Sequence, residues 1–465
     1  MKQPDRKDFM DQKKLSPLEM PPLPQQPTLH RVLGIPDVVA LIIGICIGAG
    51  IYSTPQIIAG YQSSFRTIIL LWLVMGGLVF IHGLMYSELG TRLPNTGGDY
   101  VYINRSFGPF AGFMFGWAHL LIIRTSSVAG LALITADYIG FFVALDKFTH
   151  TVVALFVIAV LGTLNYIGIK QASFFQKMSS LLKVCGLFAL VAIGLILMHR
   201  HVNLLWTEAP PTATLGPVGN LLTPLMLIFF TYGGYIRVGQ VAEEIRKPRR
   251  DIPLSLITSL SIIIIIYILT NTLYHRLLGI EGVRGSTIVA SDVATLLIGP
   301  VGAGFITVLV IISTTSGLNG NTMSSTRVYY AMAKDGLFFK WLDFIHPKFR
   351  TPSRAVLVHC LWASVILLIR GNFETIITGQ VFTNFIFYSL GVLAFFKLRK
   401  RNIGEKDVFR VPLYPVLPAL YLMALLGLLI FRLIYEFEKS LFDIALVASG
   451  IPFFFFWWRR SKRAI

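Results

Sequence analysis

Residues 252–274 run for 23 positions without a charged side chain or a histidine. Crossing the ~30 Å hydrocarbon core of a bilayer takes about 20 mostly apolar residues in a helix. Comparable stretches recur along the chain, near 36–60, 67–90, 107–141, 150–168, 174–198, 219–245, 252–275, 299–331, 353–370, 373–396, 413–432 and 441–458, giving twelve candidate spans. Those at 107–141 and 299–331 are long enough to tilt or to extend past the bilayer. Charged residues make up 14% of the 465, against ~25% in ordinary soluble domains. The mean hydropathy is +0.68. A water-soluble enzyme is excluded, as are collagen-like, disordered and disulfide-framework chains. Cys46, Cys185 and Cys360 each sit inside an apolar run, so no disulfide framework or zinc cluster is legible.

The net charge is +18. In a soluble protein that excess would suggest nucleic acid. Here the cations lie between apolar runs, where they report orientation instead. With the N-terminus inside, 29 of the 41 Lys and Arg fall in cytoplasmic segments, eight fall outside, and Arg124, Lys183, Arg237 and Arg327 lie within spans. Both termini are therefore expected in the cytoplasm of a multi-pass cell-membrane protein. Residues 1–34 are polar, carry six cations and have no apolar core. They read as a disordered, non-translocated tail rather than a signal peptide. At the other end, Phe453–Phe456, Trp457 and Trp458 form an aromatic belt that runs into Arg459 and Arg460. The expected organisation is a tail at 1–34, a core at 35–400, two further spans at 401–458 and a short cytoplasmic end at 459–465.

Glycine interrupts two spans. Gly44, Gly48, Ala49 and Gly50 break an Ile-rich run in the first, and Thr231, Tyr232, Gly233 and Gly234 break the sixth. At 1.5 Å per residue, residues 36–47 make about 18 Å of helix and 51–60 about 15 Å, so the first break falls near the bilayer middle. The second break splits its span into halves at 219–230 and 235–246. If the first ten spans are two repeats of five, the breaks occupy matching positions. That is the pattern of an inverted-repeat transporter with its site at the breaks. Glycine used only for helix packing is the alternative. At each break one half-helix ends in free carbonyls and the next begins with free N–H groups, with partial charges of about −0.5 and +0.5. A zwitterion with ammonium and carboxylate on one carbon matches such ends. N–H groups around Gly50, Ile51 and Tyr52 would take the carboxylate, and carbonyls near Ile47, Gly48, Phe230 and Thr231 the ammonium.

These same residues resemble a known family. Gly44-Ile-Cys-Ile-Gly-Ala-Gly-Ile-Tyr52 is similar to the first-span stretch of amino acid–polyamine–organocation transporters. Phe230-Thr-Tyr-Gly-Gly-Tyr235 and Val241–Pro253 resemble their sixth span and following loop. Tyr86–Gly90 with Gly97–Tyr100, Leu120–Ser127 and Ser324–Arg327 narrow the resemblance to the L-type amino-acid transporter branch. The similarity runs from about Pro36 to Trp458. It implies an all-α membrane fold with twelve transmembrane helices: a five-plus-five inverted repeat with broken helices 1 and 6, plus two C-terminal helices. It also implies amino-acid exchange. By position, Gly48, Ala49 and Gly50 match the carboxylate-binding loop, and Ala49 stands where the family usually has Ser. Phe230 matches the aromatic that caps the substrate, and Gly233 the unwound sixth-span glycine. Lys183 matches a lysine found where sodium-coupled relatives hold an ion, and is expected to bridge first-span carbonyls near Cys46–Gly48 to Ser324 or Ser325. Eukaryotic members attach a heavy subunit through a cysteine between spans three and four. Residues 142–150 contain none, so no disulfide-linked heavy subunit is expected.

Other intramembrane polar residues read as structural first. Arg124 is expected to pair with helix ends, Asp137 or Glu88, with a role as a substrate-carboxylate ligand as the alternative. Arg237 faces a polar vestibule, and His82, His119 and His359 are packing histidines. Glu243 and Glu244 form an inner gate with nearby cations or a solvated charge run. The polar face Ser313–Ser316, Asn319 and Asn321 either lines a cavity or bonds between helices. No phosphate-binding loop, metal-ligand run or nucleophile elbow is present in the sequence, so no cofactor or metal is expected and the chain reads as no enzyme. The expected partners are a small amino-acid substrate and membrane lipid, with no nucleic acid. No acidic residue lies in 44–60 or 221–240. Neutral L-amino acids, exchanged without sodium by alternating access, are therefore favoured. A polyamine or organic-cation carrier and a transporter-like nutrient sensor are the alternatives.

Overall fold

The computed structural model describes residues 33–463, apart from 95–97, 168, 214, 241, 243–244, 335–337 and 406. The tail at 1–32, Gly97 and the Glu243–Glu244 gate lie outside the described residues. Among those described, the chain is helical and contains no strand. One parallel bridge joins Leu33 to Ile245. In chain order the helices are α1 (Ile35–Cys46), α2 (Gly50–Tyr61), α3 (Phe65–Arg92), α4 (Asp99–Phe107), α5 (Pro109–Ala118), α6 (Arg124–Ile139), α7 (Lys147–Ile167), α8 (Ile169–Leu197), α9 (Gly216–Tyr232), α10 (Pro248–Gly285), α11 (Val289–Lys334), α12 (Ser353–Arg370), α13 (Phe373–Lys400), α14 (Val416–Tyr435), α15 (Phe437–Ala448) and α16 (Gly450–Arg463). Eleven segments among the described residues are long and apolar enough to cross a membrane. The pair α1 and α2, bent by 45°, makes a twelfth. Large apolar side chains cover the outer faces, with Val301 88% and Phe156 and Leu361 each 66% exposed. A surface like that is stable against lipid, not water.

The structure differs from the sequence expectation where glycine or proline redirects the chain. The third span starts at Pro109, after Gly108 at φ +87° separates it from α4. Within it, a π turn at His119–Ile123 divides α5 from α6. Gly279 (φ +67°) in α10 and Gly299 (φ +76°) before Pro300 in α11 set off a helical hairpin outside the apolar runs. The inner half of the sixth span is a 3₁₀ helix, Tyr235–Gln240, not an α-helix to 246. It stops short because the chain turns back onto the first span, where Arg246 N donates to Leu33 O at 2.9 Å.

Two buried charge knots fasten the ends of the bundle. Glu88 of α3, fully buried, accepts from Arg92 at 2.9 Å, Arg399 at 2.8 Å and Val411 N at 2.9 Å. At the other end Asp443 of α15 receives Arg370 of α12 and Arg432 of α14, the latter at 2.9 Å. Arg432 also reaches Glu436 at 3.1 Å. These knots overturn one expectation. Glu88 is committed to Arg92 and Arg399, and Asp137 is bonded to His150 at 2.7 Å. Neither is the partner of Arg124.

Candidate functional site

The two breaks lie against each other. Helix α1 ends at Cys46, α2 begins at Gly50, and Ile47–Ala49 connect them. Helix α9 ends at Tyr232, and Gly234 follows at φ +127°, a conformation that favours glycine. A Cβ added to Gly50 would stand 2.7 Å from Thr231 Oγ1 and 2.8 Å from Thr231 Cα. A Cβ on Gly234 would stand 2.8 Å from Ile45 Cγ2 and 3.3 Å from Cys46 N. Each break thus presses its glycine on the other span. Gly48 is different: its nearest neighbours are its own chain's carbonyls at 3.8 Å.

A cavity of about 400 Å³ opens at this crossing. Its wall includes Gly48, Ala49, Gly50, Phe230, Thr231, Gly233 and Lys183, seven of the nine residues singled out from sequence. Ile47 and Ile51 are fully buried in the apolar core and are not part of the wall. The first N–H groups of α2, at Gly50 and Ile51, lack intrahelical partners by the geometry of an α-helix. Phe230 stands edge-on to Phe373 of α13, ring centroids 5.9 Å apart. The Thr231 hydroxyl donates to Leu227 O at 3.0 Å and lies 3.0 Å from the Thr54 hydroxyl. Lys183, only 2% exposed, has no hydrogen bond or ion pair among the described residues. The expected bridge to Ser324 or Ser325 is not made in this conformation. Ser324 instead donates to Gly320 O at 2.8 Å.

One residue that ties the site together was passed over in the sequence. Tyr267 of α10 donates from one hydroxyl to both Cys46 O at 2.7 Å and Thr231 O at 3.1 Å. It ties the carbonyl ends of the two breaks together. Phe230 O already accepts from Gly233 N at 2.9 Å. Of the four carbonyls expected to meet an ammonium, those of Phe230 and Thr231 are therefore partly engaged. A tyrosine hydroxyl in the middle of the cleanest apolar run, which ends at a second tyrosine, Tyr274, was the available signal. Arg124 and Arg237 both line the cavity and both donate to Asn321 Oδ1, at 3.3 and 2.6 Å. Asn319 and Thr314 on the same helix serve interhelical bonds, with Asn165 Nδ2 donating to Asn319 Oδ1 at 2.9 Å and Thr135 Oγ1 to Thr314 Oγ1 at 2.7 Å.

Asp99 is the one carboxylate among the described lining residues. It opens α4, outside the membrane-spanning segments, and is 7% exposed. Its Oδ1 finds no hydrogen-bond partner among the described residues. Burial pushes its carboxyl up from the ordinary 3.8 to about 7, with Arg124 pulling partly the other way. His82 is packed, its Nδ1 2.6 Å from Tyr235 Oη and its ring stacked on Tyr421 at 4.6 Å. His359 sits beside Tyr329, and His119 against Phe115.

A cavity at the crossing of two interrupted membrane spans is the architecture of a secondary transporter. Residues 33–447 match the amino acid permease family, and the chain belongs to it. It is 30% identical over 434 residues to the serine/threonine exchanger SteT of Bacillus subtilis (strain 168), covering 92% of this chain and 97% of that protein. The Asc-type amino acid transporter 1 of Mus musculus is 27% identical over 449 residues, 94% of this chain and 83% of its own. The b(0,+)-type amino acid transporter 1 of Homo sapiens is 25% identical over 455 residues, 97% and 92% of the two chains. The protein is a multi-pass membrane protein of amino-acid transport, not an enzyme.

Proposed function

We propose that the protein exchanges α-amino acids across the cell membrane by alternating access, without sodium, taking neutral L-amino acids ahead of dibasic ones. The observation that carries this reading is the meeting of both breaks at one cavity. Free N–H groups of α2 there stand ready for a carboxylate, and the Ile47 and Gly48 carbonyls lie on the other side of the first break. The reciprocal contacts of Gly50 with Thr231 and Gly234 with Cys46 are what a pseudo-two-fold relation between two five-span repeats would produce. Phe230 closes the pocket toward Phe373. Lys183 stands for the sodium of coupled relatives: an ammonium at that place repels a second cation in a low-dielectric wall. Both termini are placed in the cytoplasm, and no disulfide-linked subunit is required.

The charge of the wall argues against the alternatives. Lys183, Arg124, Arg237 and Arg327 face Asp99 alone among the described lining residues, so a polyamine or a dibasic side chain meets repulsion. Counterflow of labelled amino acids in proteoliposomes, with sodium replaced by choline, tests the reading. Exchange of neutral amino acids at an undiminished rate in choline is expected. A strict sodium requirement removes the proposed role of Lys183, and absence of any counterflow favours the sensor.

A further inference from the structure

Four guanidiniums near the ends of the bundle have their carboxylate built in. Arg92 and Arg399 share Glu88, and Arg370 and Arg432 share Asp443. The cavity pair does not follow that pattern. Arg124 begins α6 and Arg237 lies on the 3₁₀ turn after the second break, yet both donate to the single Oδ1 of Asn321. Neither has an ion-pair partner among the described residues. A guanidinium carries five N–H donors, so one shared amide oxygen leaves most of both forks unspent. Two like charges held in a low-dielectric wall repel, and buried cations without a partner are costly. Among the described residues the one carboxylate on this wall is Asp99, whose Oδ1 bonds to neither guanidinium, so an anionic group bound in the cavity would supply the direct counter-charge.

We infer that Arg124, Arg237 and Asn321 form a carboxylate subsite, so that amino acids with an acidic side chain are substrates alongside the neutral ones. The inference rests on the reading that the breaks hold an α-amino acid. Arg237 lies three residues past Gly234, and a 3₁₀ rise of ~2.0 Å per residue puts it about 6 Å along the axis from the break. An aspartate- or glutamate-sized side chain anchored at the breaks extends over that kind of distance. Its carboxylate can take paired bonds from the guanidinium forks, while Asn321 holds the two arginines together. A small inorganic anion shares this chemistry and is separated from the side-chain carboxylate by experiment.

The test is exchange in proteoliposomes of the unmodified chain. L-glutamate, L-aspartate, L-glutamine and L-leucine are offered in trans to a labelled neutral amino acid, in chloride and with chloride replaced by isethionate. The expected result is that glutamate and aspartate drive exchange with KM values comparable to glutamine, in either anion. In Arg237→Gln the ratio of the glutamate KM to the glutamine KM should rise about tenfold, and Arg237→Lys should restore part of it. Neutral exchange that glutamate and aspartate neither drive nor inhibit overturns the subsite and leaves the proposed function standing. Chloride dependence without exchange of acidic amino acids assigns the subsite to an inorganic anion and also overturns the inference. No exchange of any amino acid overturns the proposed function and the inference with it.

Discussion

Gly48 and Gly50 stand two positions apart and meet different surroundings. Gly50 lies on the Thr231 backbone, so an added methyl forces two spans apart, whereas a methyl on Gly48 would meet the Cys46 and Ile45 carbonyls at an ordinary 3.8 Å. Overpacking of this kind costs about 1–3 kcal/mol. Gly50→Ala should lower the melting temperature in detergent and abolish counterflow. Gly48→Ala should melt like the parent and weaken substrate affinity. Equal melting of Gly50→Ala and the parent would contradict the close crossing. Asp99 carries a prediction in pH. Its folded carboxyl holds a proton up to about pH 7, while the unfolded chain releases it near 4. The folded state binds more protons in that window, so stability falls as pH rises from about 4 to about 7 and levels off above. Asp99→Asn should flatten this fall in thermal melts between pH 5 and pH 8. A fall as steep as the parent's would assign the effect to other groups.

Two interrupted spans cannot be read one at a time. Each leaves polar backbone at a depth where lipid cannot satisfy it, and part of the answer comes from a third helix. Tyr267 on α10 caps Cys46 O of the first break and Thr231 O of the sixth. Tyr267→Phe removes the hydroxyl and keeps the ring, which packs edge-on to Trp72 at 5.6 Å. Two carbonyls then lose a donor, a loss of about 1–3 kcal/mol when a buried partner is left unsatisfied. Thermal unfolding should register that loss, and turnover should fall more than membrane insertion does. Unchanged melting and turnover in Tyr267→Phe would mean that the breaks hold together without it.

For the whole molecule the prediction concerns orientation. Four of the eight cations assigned to the outer face are tied down: Arg370 and Arg432 on Asp443, Arg284 on Ala59 O at 3.1 Å, and Arg66 over the Trp206 ring at 5.4 Å. The majority of the cations is assigned to the other side, and the positive-inside rule makes a cytoplasmic face of that side the expected orientation. Lys147 and Arg401 are both exposed, at opposite ends of the bundle by this assignment. In a variant lacking the three native cysteines, Lys147→Cys should react with a membrane-impermeant thiol reagent added to intact cells. Arg401→Cys should react only after permeabilisation. The reverse labelling would invert the topology.

Span number, the places of the two breaks and the sign of the cavity wall's neighbourhood were legible in the sequence, because each is a one-dimensional property. Apolar run length is set by bilayer thickness, and glycine clusters in matching spans, at Gly48–Gly50 and Gly233–Gly234, mark where a helix can open around a cavity. Lys183 stood out for the same reason, as a charge inside an apolar run. Pairings were not legible. Arg124 sits closer in sequence to Asp137 than to any other acid in its span, yet Asp137 is taken by His150, and Arg124 shares Asn321 with Arg237 across three elements. The Tyr267 hydroxyl and the Gly50–Thr231 contact likewise depend on which helix crosses which. Charge and periodicity belong to the chain, but partners, whether 13 residues apart like Asp137 and His150 or 221 apart like Cys46 and Tyr267, are chosen by packing, and only the tertiary structure decides them.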